Sequence, residues 1–161
     1  SMALVHESLY LSPEFDNIDI GTYIKGLIKD LEVALNLDKK PIDIQAIVPN
    51  ITLSVDIAIP CGLMINELLT NALKYAFPDS EKIDKQITIK FSELNNDHLR
   101  IEVIDNGSGF QKPVVWDSVE SLGLFLIKIL AEEQLMGTVS LEEDSGTHFT
   151  IEFPLNPDFD N

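Results

Sequence analysis

Residues 66–77 read N-E-L-L-T-N-A-L-K-Y-A-F, and the fold turns on how that helix is faced. An α-helix advances about 100° per residue, so side chains three and four apart share a side. On that projection Ile65, Leu69, Ala72 and Ala76 form one apolar stripe, flanked by Leu68 and Leu73. Glu67, Asn71 and Lys74 fall together on the opposite side. An acid, an amide and an ammonium along one edge are either a solvated face of helix partners or half of a site for metal and phosphate. Asn is mildly unfavourable in mid-helix, because its amide competes for backbone hydrogen bonds. Its presence favours a task. An amide oxygen suits a hard cation such as Mg²⁺, which keeps several waters while bridging protein to phosphate. Glu67, one turn earlier, can hold one of those waters or accept a proton, and Lys74 can meet a phosphate oxygen. Asn66 projects roughly 140° away from Asn71 and is not a ligand candidate.

Around this helix the pattern alternates between helical and extended periods. Residues 3–10 read as the end of a helix that Ser12-Pro13 breaks. A second helix is predicted from Tyr23 to about Leu35, capped by Asp19 or Thr22, with Ile24, Leu27, Ile28, Leu31 and Leu35 facing the core. Strands are predicted over 42–48 and 51–55, separated by a Pro49-Asn50 turn. Pro60 is expected in the first turn of the quoted helix, and Phe77-Pro78 ends it. Two further strands, 86–94 and 98–104, flank the turn Asn95-Asn96-Asp97. A loop then leads to a strongly apolar helix over 121–136, with Gly137 as its expected C-terminal cap. Strands 139–143 and 148–153 close a hairpin around residues 144–147. The sum is an α/β (α+β) two-layer sandwich, its mixed, mostly antiparallel sheet covered on one face by helices.

Composition narrows the partners. The 161 residues, 45% hydrophobic, suit one domain with a sizeable core. One cysteine, Cys61, excludes an internal disulfide framework and fits a reducing, cytoplasmic setting. No apolar run reaches a membrane span and no signal-peptide pattern opens the chain. The opening Ser-Met has the look of a cloning scar, so a fragment of something larger is expected. Against 27 acidic residues stand 11 Lys and Arg, a net charge of -16. That balance argues against nucleic acid and against contact with an anionic membrane, but not against a small anion held by a few local donors.

Three more segments carry candidate chemistry. D-N-G-S-G-F spans 105–110. Alone, Asn-Gly signals a hairpin turn, yet the residues that follow read as a loop with Pro113 and Asp117. The alternative is a backbone that bends sharply or admits a ligand closely. Asp105, ending an apolar strand, can accept a hydrogen bond from an exocyclic amine such as adenine's. In S-L-G-L-F-L-I-K-I-L (121–130), Gly123 is either a tolerated glycine or an opening of helix amides toward an anion. Gly146-Thr147 is a turn, or it places a hydroxyl near a base or a bridging water. Other assignments fail: there is no G-x-x-x-x-G-K-[ST], and Lys112 breaks a G-x-G-x-x-G. His6, His98 and His148 lack metal-ligand spacing and read as structural.

Taken together, the segments resemble a known family. N-E-L-L-T-N-A-L-K-Y-A-F resembles the N box of the GHKL (Bergerat-fold) ATP-binding superfamily, D-N-G-S-G-F its G1 box, S-L-G-L-F-L-I-K-I-L its G2 box and G-T-H-F-T-I-E-F its terminal Gly-Thr segment. Their order is specific, and the likeness runs from about Pro41 to Pro154. Within the superfamily the chain is most similar to the catalytic, ATP-binding domain of sensor histidine kinases. H-E-S-L-Y and Y-I-K-G-L-I-K-D-L resemble the end of the dimerisation region in one subfamily.

The resemblance implies ATP and Mg²⁺ as cofactors. Asn71 would bind Mg²⁺, with Glu67 acting through water or as the catalytic acid or base. Lys74 and Tyr75 would contact nucleotide, Lys74 also serving catalysis. Asp105 would recognise the adenine amino group, Gly107 and Gly109 would shape the pocket, Gly123 and Leu124 would meet phosphates, and Thr147 would lie near the base. The implied layout is dimerisation region and first catalytic helix over 1–37, ATP-binding domain over 38–155 and a frayed tail over 156–161. Implied partners are a phosphoacceptor-histidine domain of the same, dimeric protein and a response-regulator receiver domain. His6 would not be the acceptor, which lies elsewhere. Rivals are an ATPase or protein-serine kinase with the same pocket, and a nucleotide-sensing module without transfer. The chain departs from many such kinases at Ser121-Leu122, where they carry Gly-x-Gly, and in a short lid.

Overall fold

The Asp19 carboxylate accepts the Thr22 amide at 3.3 Å and caps helix α1, Ile20–Ala34. In the computed structural model, residues 17–37, 42–78, 84–95, 97–109, 121–143 and 145–156 are described. The expectations for residues 3–10, His6, the lid and the final tail residues lie outside them. Of the two cap candidates Asp19 serves, and α1 starts earlier than the expected Tyr23. The strand β1, Ile18–Asp19, pairs antiparallel with β3, Thr52–Leu53, and feeds directly into the helix.

Between these lies β2, Asp43–Ile47. The strand expected over 51–55 contracts to the two residues of β3, because Val55 already begins α2, Val55–Asn71. Ser54 at the N-cap and Asp56 in the first turn are helix-start residues. They outweigh the β-preference of Val55. Pro60 therefore stands inside the helix and not in its first turn. Lacking an N–H, it leaves the Asp56 carbonyl without its helical donor. Full burial of Ala58, Cys61, Met64 and Ile65 around it holds the helix together.

Helix α1 packs on α2 through Tyr23 and Gly62. A Cβ on Gly62 would stand 2.0 Å from the Tyr23 hydroxyl oxygen, so glycine is what lets the ring lie on the helix backbone. That hydroxyl is buried and finds no hydrogen-bond partner among the described residues. Burial, and secondarily Cys61, pushes its pKa above the usual tyrosine range. Burial likewise pushes the Cys61 thiol well up.

The sheet comprises β2, β4 (Gln86–Leu94), β5 (His98–Asp105), β6 (Thr138–Glu142) and β7 (Thr147–Pro154), in the order β2-β4-β5-β7-β6. Only β2 and β4 run parallel; the other neighbours are antiparallel. Burial alternates along β4, β5 and β7, so Ile87, Ile89, Phe91, Leu99, Ile101, Val103, Phe149, Ile151 and Phe153 line one face and join the helices in a single core. The other face is polar. Arg100 and Glu152 pair across it at 2.7 Å, and His148 meets Glu102 at 2.7 Å. This is the expected two-layer, mostly antiparallel sandwich.

Both helices near the loop end of the sheet finish in wider turns. α2 passes into a π-helical turn over Ala72–Ala76, and α3, Leu122–Lys128, into one over Ile129–Gln134. Gly137 is not the left-handed cap of the latter; Met136 is, at φ 60°. Glycine is needed at 137 for contact, since a Cβ there would come 2.0 Å from the Glu152 carbonyl oxygen of β7.

Candidate functional site

A cleft of about 660 Å³ opens between the end of α2 and the start of α3, above the β5–β7 pair. Strand register sets its floor. Asp105 lies opposite Thr147 and Val103 opposite Phe149, and all four face the cleft. α2 and its π turn supply Leu68, Asn71, Ala72, Lys74, Tyr75 and Ala76, while Ser108 and Gly109 come from the loop after β5. Ser121 and Leu124 close the side formed by α3.

Asp105 is the buried charge of this floor, only 7% exposed. Its Oδ1 accepts the Gly107 amide at 2.9 Å and the Thr147 amide at 3.3 Å, and its Oδ2 accepts the Thr147 hydroxyl. An ionised carboxylate offers about four acceptor positions. Among the described residues three are taken, which leaves room for one more donor.

Glycines shape the surround for different reasons. A Cβ on Gly107 would meet the Ala76 carbonyl oxygen at 2.2 Å, so the loop can touch the helix end only without a side chain. The Ser108 amide then donates to that same carbonyl at 2.9 Å. Gly109 and Gly146 need conformational freedom, at φ 77° and 130°. Gly146 also presses on Asp105, where a Cβ would stand 2.0 Å from its carbonyl oxygen.

On the helix side, Gly123 lies against the Glu67–Asn71 edge. A Cβ there would be 2.9 Å from Glu67 Oε2 and 3.8 Å from the Asn71 amide nitrogen. Ser121 caps α3, accepting the Leu124 amide at 3.4 Å. Oxygen donors from Asn71 and Glu67, one turn apart beside an open cleft, fit a hard cation that brings its own waters. They are too few to hold it alone, and among the described residues no group of three or more His, Cys, Asp or Glu converges.

Of the residues singled out by sequence, Asn71, Lys74, Tyr75, Asp105, Gly109, Leu124 and Thr147 line the cleft. Glu67, Gly107 and Gly123 do not line it; Gly107 meets Ala76, and Gly123 meets Glu67. Asn66 is buried at 3% exposure, off the cleft. Sequence reading missed Val103 and Phe149. The signal was available: each lies two strand positions from a named site residue, which puts both on the same face. Leu68 and Ala72 were assigned to the core side, whereas both also wall the cleft.

The family described as histidine kinase-, DNA gyrase B- and HSP90-like ATPases matches residues 57–157, and a histidine kinase family matches 1–35. The chain belongs to the first of these families. The sensor histidine kinase PdtaS of Mycobacterium tuberculosis is 26% identical over 157 residues, 96% of this chain and 30% of PdtaS. The solved blue-light activated histidine kinase of Erythrobacter litoralis EL346 superposes with a TM-score of 0.77 at 23% identity, over 95% of this chain and 51% of that one. The catalytic domain of the histidine kinase ThkA does so with 0.62 at 18%, over 90% and 99%. This chain thus spans about a third of PdtaS and half of the EL346 chain. It is homologous to the ATP-binding catalytic domains of sensor histidine kinases.

Proposed function

We propose that this chain is the ATP-binding catalytic unit of a cytoplasmic two-component histidine kinase, which transfers the γ-phosphoryl group to a histidine outside these 161 residues. The observation that carries this reading is Asp105. A buried carboxylate that takes three donors from the described residues and keeps one acceptor position among them selects an exocyclic amine, as adenine offers, and repels a carbonyl in the same place. Thr147 holds the carboxylate while Val103 and Phe149 give the base an apolar floor. Gly107 and Gly109 shape the loop around it.

From there the phosphates would be met by Lys74, Tyr75 and the start of α3 at Gly123 and Leu124. Asn71 would hold Mg²⁺, with Glu67 reaching it through water. The cation supplies charge neutralisation for phosphoryl transfer. Lys74 adds a second positive charge at the phosphates. Glu67 orients water or takes the proton released from the attacking histidine, and catalysis is mostly positioning. We place the division of the chain at about residue 37, with the catalytic unit over 38–155 and a tail over 156–161; two family matches, over 1–35 and 57–157, support a break near residue 37. In the whole protein the partners are a dimerisation and phosphoacceptor domain, a second copy, and a response-regulator receiver domain.

Calorimetric titration of ATP with and without Mg²⁺ tests the pocket. Asp105→Asn is expected to weaken ATP in both conditions, and Asn71→Ala chiefly to remove the Mg²⁺ dependence. Wild-type protein that ignores ATP at millimolar concentration overturns the reading. Product analysis on the longer protein then separates phosphohistidine from free phosphate and phosphoserine, the products of the rival ATPase and serine kinase.

A further inference from the structure

The Asn-Gly pair at 106–107 has the composition of a tight hairpin turn, yet neither residue takes the positive φ that such a turn requires. The Asn106 side chain is used differently. Its Oδ1 accepts the Gln86 amide at 2.8 Å, its Nδ2 donates to the Asp84 carbonyl at 2.6 Å, and its own backbone N–H donates to the Gln86 carbonyl at 3.2 Å. The anchor is itself tied down, because the Asp43 amide of β2 donates to the Lys85 carbonyl at 2.9 Å.

The register explains what these bonds achieve. The β4–β5 ladder ends with Ile87 opposite Asp105. One residue further the main chain must leave the sheet so that Gly107 can reach Ala76. A side-chain amide carries an acceptor and a donor side by side, as a peptide group does. Asn106 therefore keeps one bond to Gln86 with its backbone N–H and supplies the other with its side-chain Oδ1, holding the strand end where the main chain departs. Asp105 is left with a fixed strand end on one side and the Gly107 amide on its carboxylate on the other.

We propose that Asn106 is a positioning residue for base recognition. It does not line the cleft, and it acts by holding Asp105 and the Gly107 amide in the geometry that receives the base. This rests on the nucleotide reading above. Alanine removes both halves of the clamp. Aspartate keeps the Gln86 bond but sets a carboxylate against the Asp84 carbonyl, so it fails as a substitute despite its shape.

The test uses this chain as wild type, Asn106→Ala, Asn106→Asp, Asp105→Asn and the double variant Asp105→Asn with Asn106→Ala. ATP and GTP are titrated by calorimetry, and hydrogen exchange of the Gly107 amide is followed without nucleotide. Asn106→Ala and Asn106→Asp are each expected to weaken ATP about tenfold, to narrow the ATP-over-GTP preference and to speed Gly107 exchange. In the Asp105→Asn background, Asn106→Ala is expected to add less than about twofold, because residues acting through one another are not additive. An ordinary loss of stability would instead add in full and leave base preference alone. Should Asn106→Ala fail to fold, the aspartate variant carries the same comparison. ATP binding that depends on Asp105 but not on Asn106, or full additivity in the double variant, overturns this proposal alone. ATP binding indifferent to Asp105 overturns the nucleotide reading and this role with it.

Discussion

Gly107 and Ala76 meet backbone to backbone, with the Ser108 amide donating to the Ala76 carbonyl at 2.9 Å. The contact joins the loop after β5 to the π-helical turn that follows α2, and it admits no Cβ. Gly107→Ala must therefore push loop and helix apart. It is expected to cost about 2 kcal/mol of stability, as overpacking does, and to lower ATP affinity by more than the Ser108 bond alone accounts for. Denaturant unfolding and calorimetry on the same sample check both.

Thr147 holds Asp105 with its amide and its hydroxyl. Thr147→Val keeps the branched shape and the amide but removes the hydroxyl. An expected loss of about 1 kcal/mol translates into roughly fivefold weaker ATP. Thr147→Ser restores the donor and most of the affinity. Equal titrations for valine and threonine would mean that the hydroxyl has no part in holding the carboxylate.

The Tyr23 hydroxyl is buried against Gly62 with no hydrogen-bond partner among the described residues. An unmet buried hydroxyl costs about 1–3 kcal/mol, so Tyr23→Phe is expected to be neutral or stabilising. Gly62→Ala alone should destabilise by a comparable amount, since its Cβ would overlap the hydroxyl. Tyr23→Phe is expected to relieve part of that loss. Melting curves of the two single variants and the double variant give the coupling directly.

Cys61 is fully buried, and burial pushes its thiol pKa up. The unfolded thiol ionises near 8.5, about its ordinary value, while the folded one stays protonated. The stability it contributes is complete below that pH and is lost as pH rises above it, at up to about 1.4 kcal/mol per unit. Above about pH 10 Tyr23 adds to the slope with the same sign. Unfolding free energies at pH 8 and 9.5 are expected to differ in wild type and to converge in Cys61→Ala. A thiol reagent at neutral pH should label the chain only after denaturation.

Much of the site was legible because its chemistry sits on regular periods. The α2 edge of Glu67 and Asn71 follows from 3.6 residues per turn, and the strand ending at Asp105 from a period of two. Errors arose where short-range preferences competed. Val55 reads as strand by its branching, yet Ser54 and Asp56 start a helix there. Pro60 reads as a helix start, yet burial of Ala58, Cys61, Met64 and Ile65 carries the helix through it. Gly137 reads as a left-handed cap, yet Met136 takes that conformation and Gly137 serves a contact with β7.

The sequence by itself determined the sandwich, the order of its boxes and the polar edge of α2, because amphipathic periods and the spacing of local motifs are properties of the chain alone. Tertiary structure decided which glycine answers to φ and which to contact, as at Gly109 against Gly107. It also set Thr147 opposite Asp105 and brought Gly123 against Glu67. Those facts depend on the meeting of residues distant in sequence, and no local preference encodes the distance at which they meet.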